Sequence, residues 1–184
     1  VARLDGILDE FLTFARGGRV NRKPEDLSRI VRDLLEFVEP DNESEGIRQH
    51  ADLVHGLPMV LVDEMQLKQA VLNLLVNARQ AMESGGELIV RTQRVGNDVR
   101  LSITDTGCGM GAEELEKCFD VFWSTKSRGT GLGLASARRI VEEHGGSMTA
   151  VSEPGTGTSI SIQLPLAVEL VPRSDEDDHE AEDA

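Results

Sequence analysis

The sequence predicts an α+β fold: a two-layer α/β sandwich in which a mixed, mostly antiparallel sheet is covered by helices on one face and preceded by an amphipathic helix. Three observations carry this expectation. Apolar residues recur at helical spacing in four long segments, they alternate at strand spacing in shorter ones, and the helices are grouped early and late around the strands. The 184 residues suffice for one domain and an appendage.

The first helix carries its stripe on Leu4, Ile7, Leu8, Phe11, Leu12 and Ala15. Gly17 and Gly18 end it, and a basic linker follows over Arg19, Arg22 and Lys23. Pro24 is expected to open a second helix with the stripe Leu27, Ile30, Val31, Leu34, Leu35 and Val38, and Pro40 to close it. Short strands are predicted over 47–54 and 59–62. Asp63 has the character of an N-cap for a buried helix over 63–82, whose apolar residues are Leu67, Ala70, Val71, Leu74, Ala78 and Ala81. A hairpin over 87–94 and 99–104 turns at Gly96-Asn97-Asp98. After a glycine-rich region come a helix over 132–144 and strands over 147–152 and 158–164. The domains are thus expected at 1–18, 24–168 with a linker at 19–23, and an acidic, disordered tail at 169–184.

Charge and composition exclude several classes. There are 19 basic and 33 acidic side chains, a net −14. Residues 173–184 hold seven acids against one Arg, and the rest of the chain is still acidic. Nucleic-acid binding, which needs a basic face, is therefore not expected. The apolar runs are too short for a membrane span or signal sequence. Cys108 and Cys118 lie ten apart without a CxxC, which suggests neither a zinc site nor a disulfide framework and fits a reducing, cytoplasmic setting. Because the first residue is Val, the chain is read as a fragment of something longer.

Three constellations carry chemistry. Gln66, Gln69, Asn73, Asn77 and Gln80 form a ladder of amides on one flank of the 63–82 helix. Amide oxygens suit a hard cation such as magnesium, with Asn77 as ligand; a solvated helix side is the alternative. The second is Asp105-Thr106-Gly107-Cys108-Gly109-Met110. Strand parity places Asp105 on the side of Val99, Leu101 and Ile103, so its carboxylate points inward and needs a donor, such as the exocyclic amine of a purine. A strand-ending Asx turn would use the same residues. Asp-Thr-Gly also opens aspartic-protease loops, but the long helices weigh against that fold. The third is Gly129-Thr130-Gly131-Leu132-Gly133-Leu134, a glycine turn leading into a helix, where free N–H groups favour phosphate. Phe119, Phe122 and Trp123 upstream are read as an aromatic anchor for a short mobile lid bearing Lys126.

In order and spacing, Asn73 to Ala78, Asp105 to Gly109, Phe119 to Lys126, Gly129 to Leu134 and Gly155 to Thr158 resemble the N, G1, F, G2 and G3 boxes of sensor histidine kinases. The resemblance covers roughly 24–165, the catalytic and ATP-binding domain of the gyrase, Hsp90, histidine kinase and MutL superfamily, with a lid similar to the nitrogen-regulation type. It implies ATP and Mg2+ as ligands and catalytic roles for Asn73, Asn77 and Lys126. Asn77 would ligate the metal, Asn73 order metal and phosphates, and Asp105 receive the adenine amine. Gly107 and Gly109 would shape the base pocket, Thr130, Gly131, Leu132 and Gly133 would hold phosphates, and Thr158 would support Asp105 through water.

Superfamily members that hydrolyse ATP usually carry Glu where this chain has Asn73. An amide cannot deprotonate water, so γ-phosphoryl transfer to a protein histidine is expected, with little hydrolysis. Many kinases also place Lys or Arg at the position of Gln80, and Arg79 lies across the helix, which shifts phosphate contacts to Lys126 and, more weakly, Arg128. No acceptor-histidine pattern occurs around His50, His55, His144 or His179. The first helix resembles the second helix of a dimerisation and phosphotransfer bundle. The implied partners are therefore that bundle, a response-regulator receiver domain and, in the intact protein, a second copy. A nucleotide-operated switch and an anti-sigma-factor Ser/Thr kinase are the competing readings.

Overall fold

The computed structural model describes residues 20–125 and 129–167. The expected first helix, the tail, Lys126 and Arg128 lie outside them. In chain order the elements are β1 (Lys23–Glu25), α1 (Leu27–Ser44), β2 (Ile47–Leu53), β3 (Val60–Val62), α2 (Glu64–Ala81), β4 (Gly86–Val95) and β5 (Asp98–Asp105), followed by α3 (Ala112–Lys117), α4 (Gly133–Glu143), β6 (Ser147–Glu153) and β7 (Gly157–Pro165). Five strands form one sheet in the order β2-β4-β5-β7-β6, parallel only between β2 and β4, and β1 pairs with β3 in a separate antiparallel ladder.

The sheet buries one face. Leu88 and Val90 of β4, Val99, Leu101 and Ile103 of β5, and Ile160, Ile162 and Leu164 of β7 alternate into a core shared with α1, α2 and α4. The other face carries hydroxyls instead, paired across strands as Thr104–Ser159 at 2.8 Å and Ser102–Ser161 at 3.1 Å. In β5 and β7 the buried apolar residues therefore lie on one side. Among the described residues no helix is long and apolar enough to cross a membrane.

The α1 stripe is buried as its spacing predicts, but both of its expected boundaries are wrong. Pro24 sits in β1, opposite Leu61, and the helix is instead capped by Asp26, whose carboxylate accepts the Arg29 N–H at 3.2 Å. A two-stranded ladder has only outer edges, so a residue without an N–H is tolerated there. Pro40 lies inside the helix rather than closing it. The carbonyl it leaves without a donor belongs to exposed Glu36, where water can replace the lost bond. Past the proline the helix is held by buried Asn42, which donates to Gln49 on β2 at 2.9 Å.

Asp63 caps α2 as expected, accepting from Met65 and Gln66 at 3.1 and 3.2 Å and also from the Asn21 backbone at 3.0 Å. Its own N–H donates to Nε2 of buried His144 at 2.9 Å, while Nδ1 of that ring lies 2.7 Å from the Ile140 carbonyl. A carbonyl only accepts, and Nε2 accepts from Asp63, so Nδ1 carries the proton. One ring thus joins the start of α2 to the end of α4.

Burial raises the Asp63 carboxyl, but the backbone donors Asn21, Gln66 and Met65 together outweigh it and hold the group below its ordinary 3.8. Asp63→Ala should cost about 1 kcal/mol in urea denaturation. Against Asp63→Asn, the wild-type advantage should be complete above the ordinary carboxylate value and vanish as pH falls through the lower folded-state value; a gap that persists in acid contradicts the assignment.

Candidate functional site

The expected site residues converge along α2. Its apolar face, Leu67, Ala70, Val71, Leu74 and Ala78, is buried against the sheet and α4, with Leu75 joining it. Asn73 and Asn77 are half-buried on the adjoining flank. The Asn73 side-chain N–H donates to the Gly133 carbonyl at 3.2 Å, so the helix and the start of α4 touch here. Because that carbonyl can only accept, the Asn73 amide is oriented with its oxygen turned away from it. Two turns further, the Ala81 carbonyl accepts the Cys108 N–H at 3.0 Å. The 105–109 loop therefore meets one end of the flank and the glycine turn meets its middle, about 12 Å apart at 1.5 Å per residue.

Asp105 ends β5 with its side chain on the core side, 4% exposed, as strand parity predicts. Its Oδ1 accepts the Gly107 N–H at 2.9 Å, an Asx turn that satisfies part of the carboxylate. Directly across the ladder stands Thr158, 5% exposed. Both expectations for this loop hold at once: the carboxylate points inward and the loop is an Asx turn.

The glycines of the loop are needed for backbone packing as well as for space. At Gly109, φ is +66° and a Cβ would lie 2.0 Å from the Glu153 carbonyl oxygen; at Gly107 it would lie 2.4 Å from that of Ala81. Gly131, with φ +68°, packs against the Phe122 backbone, where a Cβ would fall 2.4 Å from the carbonyl carbon. Gly133 differs, since nothing lies within 4 Å of its Cβ position. Among the described residues no side chain caps α4, and the N–H groups of its first turn are of the kind that accept an anion. The Leu132 N–H lies 3.4 Å from Thr130 Oγ1.

The aromatic anchor is smaller than expected. Phe119 packs on the core, with the Arg138 guanidinium 5.3 Å from its ring centroid. Phe122, by contrast, is 63% exposed with φ +66°. The close approach of Gly131, whose carbonyl accepts the Phe122 N–H at 3.0 Å, accompanies this left-handed conformation. Arg79 is engaged elsewhere, by Asp41 at 2.8 Å and Glu45 at 3.7 Å, in agreement with its place across the helix.

Composition did not single out Ser152. Its hydroxyl lies 2.8 Å from the Met110 N–H, 2.9 Å from the Gly157 carbonyl and 2.8 Å from Thr158 Oγ1. In the sequence it stands only as the last residue of the strand predicted over 147–152, two residues before Pro154. A groove of about 310 Å3 between α1 and β2, past Leu35, Ala51 and His55, lies apart from all these residues.

The inward acid, the amide-bearing helix and the glycine turn before α4 are thus brought together through α2. Residues 62–168 match the family model described as Histidine kinase-, DNA gyrase B-, and HSP90-like ATPase, and the chain belongs to that family. Sporulation kinase E of Bacillus subtilis (strain 168) is 33% identical over 165 residues, covering 89% of this chain and 22% of that protein, so the chain spans about a fifth of that relative. Full-length ShkA in complex with AMPPNP is similar at 28% identity and a TM-score of 0.79, over 89% of this chain and 36% of that one. The nucleotide-free catalytic domain of histidine kinase ThkA matches at 27% identity and a TM-score of 0.72, over 79% and 96%.

The glycine geometry separates two kinds of position. Gly109→Ala should lower stability by about 2 kcal/mol or more in urea, since the backbone conformation and the Glu153 carbonyl both oppose a side chain. Gly133→Ala should leave the midpoint within about 1 kcal/mol of wild type. Equal losses in both would show that the open cradle at Gly133 is misdescribed.

Proposed function

We propose that this chain is the ATP-binding catalytic part of a two-component sensor protein-histidine kinase, transferring the γ-phosphoryl group to a histidine on a preceding helical bundle for relay to a response-regulator receiver domain. The observation that carries the reading is that the Asp105 loop meets the end of α2 while Asn73, midway along it, is bonded to the start of α4, with the acid buried beside Thr158. A base held at the acid leaves its phosphates running along the amides toward the uncapped helix.

On this reading Asp105 accepts the adenine amine, with Gly107 and Gly109 closing the loop around the base. Thr130, Gly131, Leu132 and Gly133 offer N–H groups to the phosphates, and Lys126 adds a point charge. Among the described residues no three His, Cys, Asp or Glu side chains converge as a metal cage. A magnesium ion here would take its oxygens from Asn77, with Asn73 nearby, and from phosphates and water, which suits its preference. Its contribution is to neutralise phosphate charge. Asn73 has no basic group to activate water, so the residues favour transfer over hydrolysis. The segment 1–18 supplies the second bundle helix, the intact protein is a cytoplasmic-facing homodimer, and 169–184 is an acidic extension.

Calorimetry with Mg-ADP should show binding that Asp105→Asn weakens at least about tenfold, as expected for a charged hydrogen bond. Unchanged affinity overturns the adenine assignment. Adding the acceptor helix of the intact protein in trans with labelled ATP should place acid-labile label on histidine. Acid-stable label would indicate a Ser/Thr kinase, and no label under conditions where ATP binds would indicate a nucleotide switch.

A further inference from the structure

We propose that Ser152 is a positioning residue that fixes the direction of the Thr158 hydroxyl proton, and that it thereby makes the base pocket select an amino-purine over a 6-oxo-purine. The inference rests on the nucleotide reading and adds to it a specificity device outside the five motifs.

A serine hydroxyl has one proton and two lone pairs. The Gly157 carbonyl, 2.9 Å away, cannot donate, so the Ser152 proton goes there. The Met110 N–H, at 2.8 Å, takes one Ser152 lone pair. The last contact, 2.8 Å to Thr158 Oγ1, is then a bond in which Thr158 donates and Ser152 accepts. Ser152 is saturated by three bonds, and the proton of Thr158 is turned toward it. What remains on Thr158 is lone pairs.

Thr158 stands directly opposite Asp105 on the neighbouring strand, and both side chains are buried. The two side chains at this corner, a carboxylate and a hydroxyl whose proton is committed, both offer acceptors. An exocyclic amine, directly or through a water, adds a donor to these acceptors, whereas an oxo group would set lone pair against lone pair. The same serine ties Met110 of the base loop to the β6–β7 turn, so loop position and proton direction are set by one atom.

The test compares ADP with IDP, which differ at the 6-position of the base, by calorimetry on folded protein checked by thermal melting. Wild type should prefer ADP. Ser152→Ala frees the Thr158 hydroxyl to donate, and the ADP/IDP affinity ratio should fall about tenfold, mainly through better relative IDP binding. Ser152→Thr, which restores a hydroxyl, should restore the ratio. In a Thr158→Val background Ser152→Ala should leave the ratio unchanged, an outcome that general loosening of the loop would not produce. Should Ser152→Ala not fold, Ser152→Cys, close in size with a weak acceptor, should show the same fall. A ratio unmoved in folded Ser152→Ala or Ser152→Cys, or moved equally without Thr158, overturns the inference while ADP binding keeps the nucleotide reading intact. Wild type binding neither nucleotide overturns both.

Discussion

The carboxylate of Asp105 is the constraint around which the fold is arranged. A charge at the end of a central strand, on the core side of the sheet, is costly unless donors surround it. One donor is local, the Gly107 N–H, and it forces the chain to double back immediately after β5. That reversal throws the loop against the last turn of α2, where Cys108 bonds Ala81, and against the β6–β7 turn, where Gly155 bonds the Cys108 carbonyl at 2.7 Å. Sheet, helix and turn are thus fixed relative to one another by the need to accommodate one acid.

The second organising element is α2, which among the described residues bonds both to the 105–109 loop and to the start of α4. Its apolar stripe fixes its rotation on the sheet, and this rotation decides that the amide flank faces the start of α4 rather than solvent. Backbone meets backbone at Gly107, Gly109 and Gly131, each approach too close for a side chain. His144, wedged between Asp63 and Ile140, holds α2 and α4 together at the end remote from the base loop. Apart from the Asn73 amide, these contacts are between main-chain groups or through one buried ring.

Much of this was legible in the sequence. Alternation over 87–104 and 158–164 gave the central strands and the inward acid, and the 3.6-residue spacing gave the helices, because both periods arise from burial on one side. What escaped was set by contacts distant in the chain. Lys23–Glu25 becomes a strand only because Val60–Val62 lies beside it, and three residues are too few to show a period. The six-residue helix Ala112–Lys117 has no buried residue and hence no stripe. Pro40 misled because its missing bond falls on the solvent side. Phe122 was assigned to an anchor by its chemistry, whereas its exposure follows from backbone geometry at Gly131. Ser152 illustrates the general difficulty: a small polar residue in an alternating strand becomes informative only when its three partners, from two other segments, are in place.

The antiparallel pairing of β5 with β7 has a consequence for synthesis on the ribosome. A nascent chain that has emerged only through α4 holds the acid, the amides and the uncapped helix, yet lacks the strand that closes over Asp105. Such an intermediate leaves the β5 edge unpaired, an exposed edge of the kind that favours association with other chains. The corner formed by Asp105 and Thr158 is therefore completed only when the final strand docks.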